Sequence, residues 1–483
     1  MKAVFRRAKI VATVGPASWS PEVLRALIEA GADALRINFA HASHEKAAEI
    51  VSLARGTSQE LGRPLAVMGD LRGPKLRVGE LPGETASIEA GHQYRFLPPG
   101  EEASPGEIST IGPPMLQDME PGARLLLDDG RLEFMVERLG PAVGELVAEA
   151  ENSGILHSGR GINLPGTATR LPPLTESDRE AIAFANDASF DFLALSFVRK
   201  PKDLETVREL MASGCLLIAK IEKPQALERL PDVMGGTDCV MVARGDLGVE
   251  LPFEEVPLVQ KRIIRMAQER VRPVITATQM LESMIDSKIP TRAEVSDVAN
   301  ALLDGTDAVM LSAETAVGAN PVAAVEVMDT IIRRIEGETL SPARPMPGRG
   351  RTGRHVRGVA DIQQTTSGAI AAAAVQAVGR LDAPLLVTFT RSGHTARMVA
   401  AQRPHVPVMA MTDQQSTYNQ LALVWGVKPV LFSGEISYEA MLTAARRNAL
   451  AQELARPGER LVVTAGVPFH VPGTTNMMRI EKL

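Results

Sequence analysis

The chain has 483 residues, of which 45% are hydrophobic, enough to fill the cores of two or three domains. Its 52 Lys and Arg against 58 Asp and Glu give a net charge of −6, which argues against broad binding to nucleic acid or to anionic membranes. The two cysteines exclude a disulfide framework and favour a reducing compartment, and no apolar run approaches the roughly 20 residues of a membrane span. We therefore expect a cytoplasmic globular protein with no nucleic-acid or membrane partner.

The first 70 residues alternate between strand and helix patterns. Apolar strand patterns at 9–15, 32–41 and 64–70 enclose two helical patterns, at 20–31 and 44–61. Ser20 is placed to cap the first of these helices, and Gly31 to end it. Such alternation with nearly continuous apolar strands predicts a parallel sheet with helices outside it.

The alternation stops between residues 71 and 166, where Gly and Pro are frequent and the strand-like segments are short. Asp129-Gly130 lies between two such segments and is a hairpin signal. We predict a small β domain, 71–166, inserted into a larger domain formed by 1–70 and 167–337.

The strand and helix alternation returns after the insertion, beginning with a predicted capping box at Thr175 and Asp178. Five further strand patterns follow, at 191–198, 215–222, 239–246, 273–280 and 308–315. Three strands before the insertion and five after it make eight. This number favours a closed (β/α)8 TIM barrel over an open doubly wound sheet.

The last part of the chain forms a separate unit. Residues 338–360 are rich in Pro, Gly and Arg and predict a linker, whereas 361–483 predict a C-terminal α/β domain. The helical pattern of this domain lies at 367–380, and its strand patterns lie at 383–390, 406–412, 428–432 and 459–466.

Polar residues collect where the barrel strands end. Lys220 and Glu222 are two apart on one strand, so their side chains share a face at the C-terminal end, where such barrels keep their chemistry. A solvated edge pair is the alternative for these two residues alone. Other strand ends add more polar groups than a purely structural barrel needs: Arg36, Asn38, Asp70, Arg244, Gly245, Asp246, Thr278, Gln279, Ser312 and Glu314.

The residue types at these strand ends indicate a phosphorylated substrate. Glu222 and Asp246 on adjacent strands suit Mg²⁺, unless they are salt-bridged or helix-facing acids. Arg36, Arg77 and Lys220 are cations able to hold a phosphoryl group, and the Gly-rich turn expected after Asp246 offers backbone N–H groups to an anion. We see no nucleophile and base arranged as a triad. The pattern predicts a site for a phosphorylated carboxylate held by Mg²⁺.

Longer motifs then identify a family. The segments VGPAS, RINFAH, GINLPGTATRLPPLTESD, LSFVR, AKIEKP, VMVARGDLGVELP, ITATQMLESM and PTRAEVSDVANALLDGTDAVMLSAETAVG resemble pyruvate kinase, in order and across nearly the whole chain. The resemblance implies a barrel A domain, an inserted lid-like B domain, a regulatory C domain and a homotetramer. It also implies the last step of glycolysis, in which phosphoenolpyruvate phosphorylates ADP to give ATP and pyruvate.

The resemblance further implies roles for residues in the barrel. Lys220 would neutralise the transferring phosphoryl group and the developing enolate, and Glu222 and Asp246 would bind Mg²⁺ or Mn²⁺. Thr278 and the backbone of Gly245 and Asp246 would hold the substrate carboxylate, with Thr278 near the protonation relay.

The remaining matched residues concern phosphate and nucleotide. Arg36 would grip the substrate phosphate and complete the catalytic set with Lys220 and Thr278. The nucleotide would be approached by Asn38, His41 and Arg77, and by Arg160 from the inserted domain.

Two departures from the family pattern concern K⁺. Members that need K⁺ carry Ser after Asn-Phe and Glu after Gly-Pro, whereas this chain has Ala40 and Lys75. The ammonium of Lys75 can supply the charge of K⁺, and Ala40 removes a ligand oxygen. Asn38 and Asp70 remain as a remnant of the monovalent-cation site. We predict that K⁺ is not required, the alternative being neutral drift in a loop.

The C-terminal domain carries a candidate effector loop. Thr390, Ser392, Gly393 and Thr395 lie between a strand and a helix, in an arrangement that can cradle phosphate and that resembles the effector loop of the family. The resemblance implies activation by a phosphorylated sugar or nucleotide. The alternative for these residues is a simple helix cap.

Two other functions fit parts of the pattern. One is a Mg²⁺-dependent lyase acting on phosphoenolpyruvate or an oxoacid, against which the inserted domain and Arg77 argue. The other is a metabolite sensor without catalysis, against which the complete set of Lys220, Glu222, Asp246 and Thr278 argues.

Overall fold

The predicted TIM barrel is confirmed. The computed structural model describes residues 5–167, 170–339, 365–468 and 475–483. Eight parallel strands close into a barrel in which each strand pairs with its neighbour in chain order and the last pairs with the first. With strands numbered along the whole chain, these are β1 Lys9–Val14, β2 Ala34–Asn38, β3 Ala66–Asp70, β13 Phe192–Leu195, β14 Leu216–Ile221, β15 Cys239–Ala243, β16 Val274–Ala277 and β17 Ala308–Leu311.

The barrel helices begin and end largely at the residues that local rules indicate. The Ser20 hydroxyl accepts a hydrogen bond from the Val23 N–H, and Thr175 and Asp178 form the expected capping box. Outside the barrel strands lie the helices Pro21–Ala30, His44–Leu61, Glu176–Asp187, Pro201–Arg208, Pro224–Glu228, Leu230–Gly236, Arg244–Glu250, Val256–Glu269, Arg292–Asp304, Ala313–Ala316 and Pro321–Thr339, with 3-10 turns at Pro16–Ser18 and Glu282–Ile285.

One local expectation was wrong. The segment that starts at Arg244 is the helix Arg244–Glu250 and not a Gly-rich turn. Glycine lowers helix propensity, but Leu247 of this helix is fully buried, so packing stabilises the helix despite two glycines. Asp246 therefore lies in the first turn of a helix.

The inserted unit is a second closed barrel of seven strands with an additional two-stranded sheet. The predicted hairpin is present: strands Arg124–Leu127 and Leu132–Leu139 pair antiparallel, and Asp128, Asp129 and Gly130 between them all have positive φ. The strands are β4 Leu76–Val78, β5 Thr85–Ile88, β6 Gln93–Pro99, β7 Glu107–Ile111, β8 Arg124–Leu127, β9 Leu132–Leu139, β10 Leu146–Ala150, β11 Gly154–His157 and β12 Gly161–Asn163, with 3-10 turns at Pro82–Glu84 and Met115–Asp118.

The C-terminal domain is a five-stranded sheet with helices. Its strands lie in the order β20, β19, β18, β21, β22, which are Val427–Leu431, Val408–Thr412, Leu385–Phe389, Arg460–Gly466 and Thr475–Lys482. The last strand was not predicted, and it pairs antiparallel with β21. The helices are Thr366–Leu381, His394–Ala401, Gln415–Gln420 and Tyr438–Ala451. A 3-10 turn, Leu421–Leu423, directly follows the third of these helices.

Helix Pro321–Thr339 runs two residues into the predicted linker 338–360, and the rest of that linker lies outside the described residues. In the described part of the chain, no helix is both long and apolar enough to cross a membrane.

The C-terminal domain closes one end of the barrel. Ala422 and Leu423 are buried in the same apolar cluster as residues near the strand starts, among them Val11 and Ala34. Arg403 adds a hydrogen bond from its guanidinium to the Gly305 carbonyl oxygen, at 2.6 Å. The polar residues at the strand ends lie at the opposite mouth, where the inserted domain begins.

Candidate active site

Lys220 is the centre of the polar cluster at the open mouth of the barrel. Its Nζ lies 2.9 Å from Oε1 of Glu222 and 3.3 Å from Oδ1 of Asp70, and it donates a hydrogen bond of 2.7 Å to the Ser196 hydroxyl. Burial alone would lower the pKa of Lys220, but the two carboxylates outweigh burial and raise that pKa above its ordinary value. The side chain is therefore a fixed cation.

Asp70 joins Lys220 to Arg36. The Arg36 guanidinium lies 2.6 Å from Oδ2 of Asp70, and it also donates to the Thr13 hydroxyl at 3.1 Å. Burial opposes the ionisation of Asp70, but Lys220 and Arg36 together hold its pKa below its ordinary value. One buried carboxylate thus fixes two of the predicted catalytic cations side by side.

Glu222 has the features of a ligand to a hard cation. It is fully buried, its Oε2 accepts the Phe197 N–H at 2.7 Å, and its Oε1 pairs with the Lys220 ammonium at 2.9 Å. Burial, with Asp246 nearby, raises the pKa of Glu222, although Lys220 opposes this. Because Mg²⁺ needs only one or two protein carboxylates, Glu222 with Asp246 suits it. Within the described ranges no cluster of three or more metal-ligating His, Cys, Asp or Glu residues occurs.

The structure brings Lys75 to Asp246. The Lys75 Nζ, at the start of the inserted domain, lies 3.6 Å from Oδ1 of Asp246. The two residues that remain of the predicted monovalent-cation site have other partners. Asp70 is paired with Arg36 and Lys220, and Oδ1 of Asn38 accepts the Ala40 N–H at 3.0 Å. The ammonium of Lys75 therefore adds its charge beside a predicted metal ligand.

Thr278 and Gln279 lie in a strained turn after β16. Both have positive φ, 67° and 55°, which is rare for a β-branched residue such as Thr278. The Arg244 guanidinium donates to the Thr278 carbonyl oxygen at 2.7 Å and holds the turn. In this conformation the Thr278 hydroxyl accepts the Gly245 N–H at 2.8 Å, so the two predicted carboxylate-binding residues are in contact.

The predicted nucleotide residues are carried by both the barrel and the inserted domain. His41 lies close enough to Arg77, Arg36 and Arg72 for these cations to lower its pKa, although burial is the larger cause. Arg160 instead points within the inserted domain, with its Nε 3.3 Å from Oδ1 of Asp128. Arg77 lies on β4 of the inserted domain and donates to the Gly159 carbonyl oxygen at 3.0 Å, so it lies near both His41 and the segment that carries Arg160.

Two residues with direct contacts in the cluster were missed. Ser196 receives the Lys220 hydrogen bond and donates to the Leu71 carbonyl oxygen at 2.8 Å, and Phe197 donates its N–H to Glu222. Both follow β13 in the motif LSFVR. Their place after a barrel strand was the signal available for including them.

The predicted effector loop lies between β18 and helix His394–Ala401. Gly393 has φ 74° and starts that helix, and Ser392 is exposed. The Thr395 hydroxyl is buried against that of Thr475, at 2.7 Å, so it contributes to the fold of the domain. Thr390 is buried, and its N–H donates to the Met411 carbonyl oxygen at 3.0 Å.

The fold and the cluster define a class: a TIM-barrel enzyme with buried cations and paired carboxylates under an inserted domain. Comparison with known proteins makes this specific. Residues 5–325 match the model of the pyruvate kinase barrel domain, and 368–481 match that of the pyruvate kinase alpha/beta domain. The chain belongs to the pyruvate kinase family, and it is a phosphotransferase.

Individual relatives cover the whole chain. A pyruvate kinase of Methylorubrum extorquens is 41% identical over 478 residues, which is 98% of this chain and 97% of that protein. A pyruvate kinase of Mycobacterium tuberculosis is 40% identical over 481 residues, which is 99% of this chain and 98% of that protein. The crystal structure of a pyruvate kinase from Cryptosporidium parvum superposes with a TM-score of 0.91 at 31% identity, covering 99% of this chain and 96% of that one.

Proposed function

We propose that this chain transfers the phosphoryl group of phosphoenolpyruvate to ADP in a Mg²⁺-dependent reaction that does not require K⁺. The observation that carries the proposal is Lys220, a buried cation held between Asp70 and Glu222 at the open barrel mouth. In this reaction the bond from phosphorus to the enol oxygen breaks, a bond to a terminal oxygen of ADP forms, and the enolate is protonated to pyruvate.

Different residues of the cluster bind the phosphoryl group, the substrate carboxylate and the metal. Lys220 and Arg36 face the transferring phosphoryl group, and Lys220 also stabilises the charge that develops on the enol oxygen. The Gly245 and Asp246 backbone, with Thr278, orients the substrate carboxylate. Glu222 and Asp246 hold Mg²⁺ or Mn²⁺, which when bound supplies charge neutralisation to the phosphoryl oxygens.

The nucleotide is assigned to the side of the mouth nearest the inserted domain. His41 and Arg77 lie near each other there, Asn38 ends β2 just before His41, and Arg160 is carried by the inserted domain. Movement of that domain towards the barrel would bring Arg160 to a bound nucleotide.

Metal removal and replacement test the role of the divalent cation. The purified chain is treated with a chelator and desalted, and pyruvate formation is followed with phosphoenolpyruvate and ADP before and after Mg²⁺ or Mn²⁺ is added. We expect no turnover in the stripped enzyme and recovery with either cation. Full turnover without any divalent cation would refute the proposal.

The charge of Lys75 supports K⁺ independence. Its ammonium lies beside Asp246, so one fixed positive charge is present where family members with Glu at this position have none. The proposal is therefore that adding K⁺ to K⁺-free enzyme changes turnover little.

Regulation and assembly form the remaining part of the proposal. The loop of Thr390, Ser392, Gly393 and Thr395 is assigned to a phosphorylated activator, because the exposed Ser392 lies directly before a helix start. A homotetramer, expected in the cytoplasm, is supported by large apolar side chains that remain exposed after β15, β16 and β17. These side chains are Phe253, Leu258, Ile289 and Val317.

A second copy of this chain is the proposed partner that covers these exposed side chains. Analytical ultracentrifugation tests the assembly: the wild type is expected at four times the mass of one chain, and Phe253→Glu at a lower mass. A monomeric wild type would refute it.

A further inference from the structure

Phe197 holds an uncommon backbone conformation next to the predicted metal carboxylate. It lies two residues after the end of β13 with φ 56°, a left-handed conformation that large side chains rarely adopt. In this conformation its N–H points at Glu222 and donates to Oε2 at 2.7 Å. Oε1 of the same carboxylate lies 2.9 Å from the Lys220 ammonium. One oxygen is thus fixed by Phe197, and the other faces Lys220.

The ring of Phe197 is held by the segment that leads into the inserted domain. A Cβ placed on Gly73 would come within 2.8 Å of the Phe197 ring, so the Gly73 backbone lies directly against it. Gly73 is itself anchored, because its N–H donates to Oδ1 of Asp178 at 3.2 Å. On another side, the Lys223 ammonium lies 5.8 Å from the ring centroid. The ring is therefore packed between the barrel and the start of the inserted domain.

These contacts explain why a strained residue persists at this position. A left-handed backbone at a bulky residue is retained only when its surroundings fix it, and such residues concentrate at functional sites. Here the contacts of the Phe197 ring hold the backbone in this conformation. The conformation in turn directs the Phe197 N–H at Glu222. Substituting the ring removes the contacts but keeps the N–H, so the two contributions can be separated by experiment.

We propose that Phe197 is a positioning residue for the divalent cation: packing of its ring against Gly73 fixes its backbone, and its N–H then orients the Glu222 carboxylate for the metal. The proposal rests on the assignment of Glu222 and Asp246 as metal ligands. It adds a residue that does not touch the metal, and it connects the metal site to the segment through which the inserted domain joins the barrel.

The test measures metal binding without turnover. Mn²⁺ binding to the full chain, free of substrate, is followed by the electron paramagnetic resonance signal of free Mn²⁺. We expect Phe197→Leu to weaken Mn²⁺ binding by about tenfold, the effect typical of losing a group that orients a metal ligand, and Phe197→Tyr to bind as the wild type does. In turnover assays the KM for the metal should rise in the Leu variant, while kcat at saturating metal stays within about twofold.

Phe190→Leu is the matched control. Phe190 is buried in the barrel core, where its ring packs against that of Phe39 at 5.6 Å. Its replacement should lower thermal stability without changing Mn²⁺ affinity. If Phe197→Leu does not fold, as judged by circular dichroism, the milder Phe197→Met is measured against the same expectation.

The outcomes separate this inference from the proposed function. Equal Mn²⁺ affinity in the wild type and in the folded Phe197 variant would overturn the positioning role, as would an equal loss in Phe190→Leu. A wild type that binds no Mn²⁺ would instead overturn the assignment of Glu222 and Asp246, and with it the basis of this inference.

Discussion

Replacing Lys220 with methionine removes the charge at the centre of the site and keeps a side chain of similar length. The Nζ that is lost contacts Asp70, Glu222 and Ser196 at 3.3, 2.9 and 2.7 Å. Removing one partner of a buried ion pair costs about 3–5 kcal/mol, because the remaining charge is left uncompensated. Asp70 keeps Arg36 as a partner, so we expect the lower end of that range, about 3 kcal/mol of stability.

The effect of Lys220→Met on turnover should be much larger than its effect on folding. A single neutral donor aimed at a developing negative charge is worth about 10²–10³ in kcat, and a full cation facing both the phosphoryl group and the enolate should exceed it. We therefore expect kcat to fall by more than about 10³ at saturating phosphoenolpyruvate, ADP and Mg²⁺.

Two assays separate the effects on folding and chemistry. Pyruvate formation gives kcat, and denaturant unfolding is followed by the fluorescence of the two tryptophans, Trp19 in the barrel and Trp425 in the C-terminal domain. Lys220→Arg serves as the control, because it keeps the charge while changing its position. A folded Lys220→Met variant with nearly wild-type kcat would refute the role given to Lys220.

Three further predictions follow from individual charges. Lys75→Glu should lower turnover in K⁺-free buffer by about tenfold and make added K⁺ restorative; unchanged turnover without K⁺ would count against the role of Lys75. Ser392→Asp should abolish activation by sugar phosphates or nucleoside monophosphates at unchanged basal kcat, since it places a negative charge in the effector loop; retained activation would exclude that loop. Burial, aided by the cations Arg6 and Lys428, lowers the pKa of Lys9 to about 8 from 10.5, although Asp33 and Glu336 oppose this. Below pH 8 both folded and unfolded chains are protonated, so burying this charge costs up to about 3 kcal/mol, and the cost falls as pH rises from 8 towards 10. The Tm of the wild type relative to Lys9→Met should therefore increase over that range, and a constant difference would contradict the burial of a charged Lys9.

The barrel could be predicted because its rules are local. Nearly continuous apolar strands, a capping serine at Ser20 and a capping box at Thr175 and Asp178 mark each element within a few residues of sequence. The closure of the barrel followed from the number of strands. The positions of Lys220, Asp70 and Arg36 followed from the rule that strand ends share one mouth, and the structure joins these three directly.

Other features depend on contacts between distant parts of the chain. Lys75 and Asp246 are separated by most of the inserted domain and by the barrel strands β13, β14 and β15, so neither motif alone predicts their ion pair. Nothing in the residue type of Phe197 predicts a left-handed backbone, because tertiary packing imposes it. The helix at Arg244 was not predicted, because its two glycines indicate a turn and the burial of Leu247, which stabilises the helix, is not visible in the local sequence. Strand β22 lies at a sheet edge and is largely exposed, so its apolar alternation is weak.

The central claim is tested most directly by pyruvate formation from phosphoenolpyruvate and Mg²⁺, with and without ADP, in buffer whose only monovalent cation is a large organic ammonium. The account predicts pyruvate only when ADP is present, and a rate that changes less than about twofold when K⁺ is added. A rise of about tenfold on adding K⁺ would contradict the K⁺ independence assigned to Lys75. No pyruvate under any of these conditions would contradict phosphoryl transfer at this site.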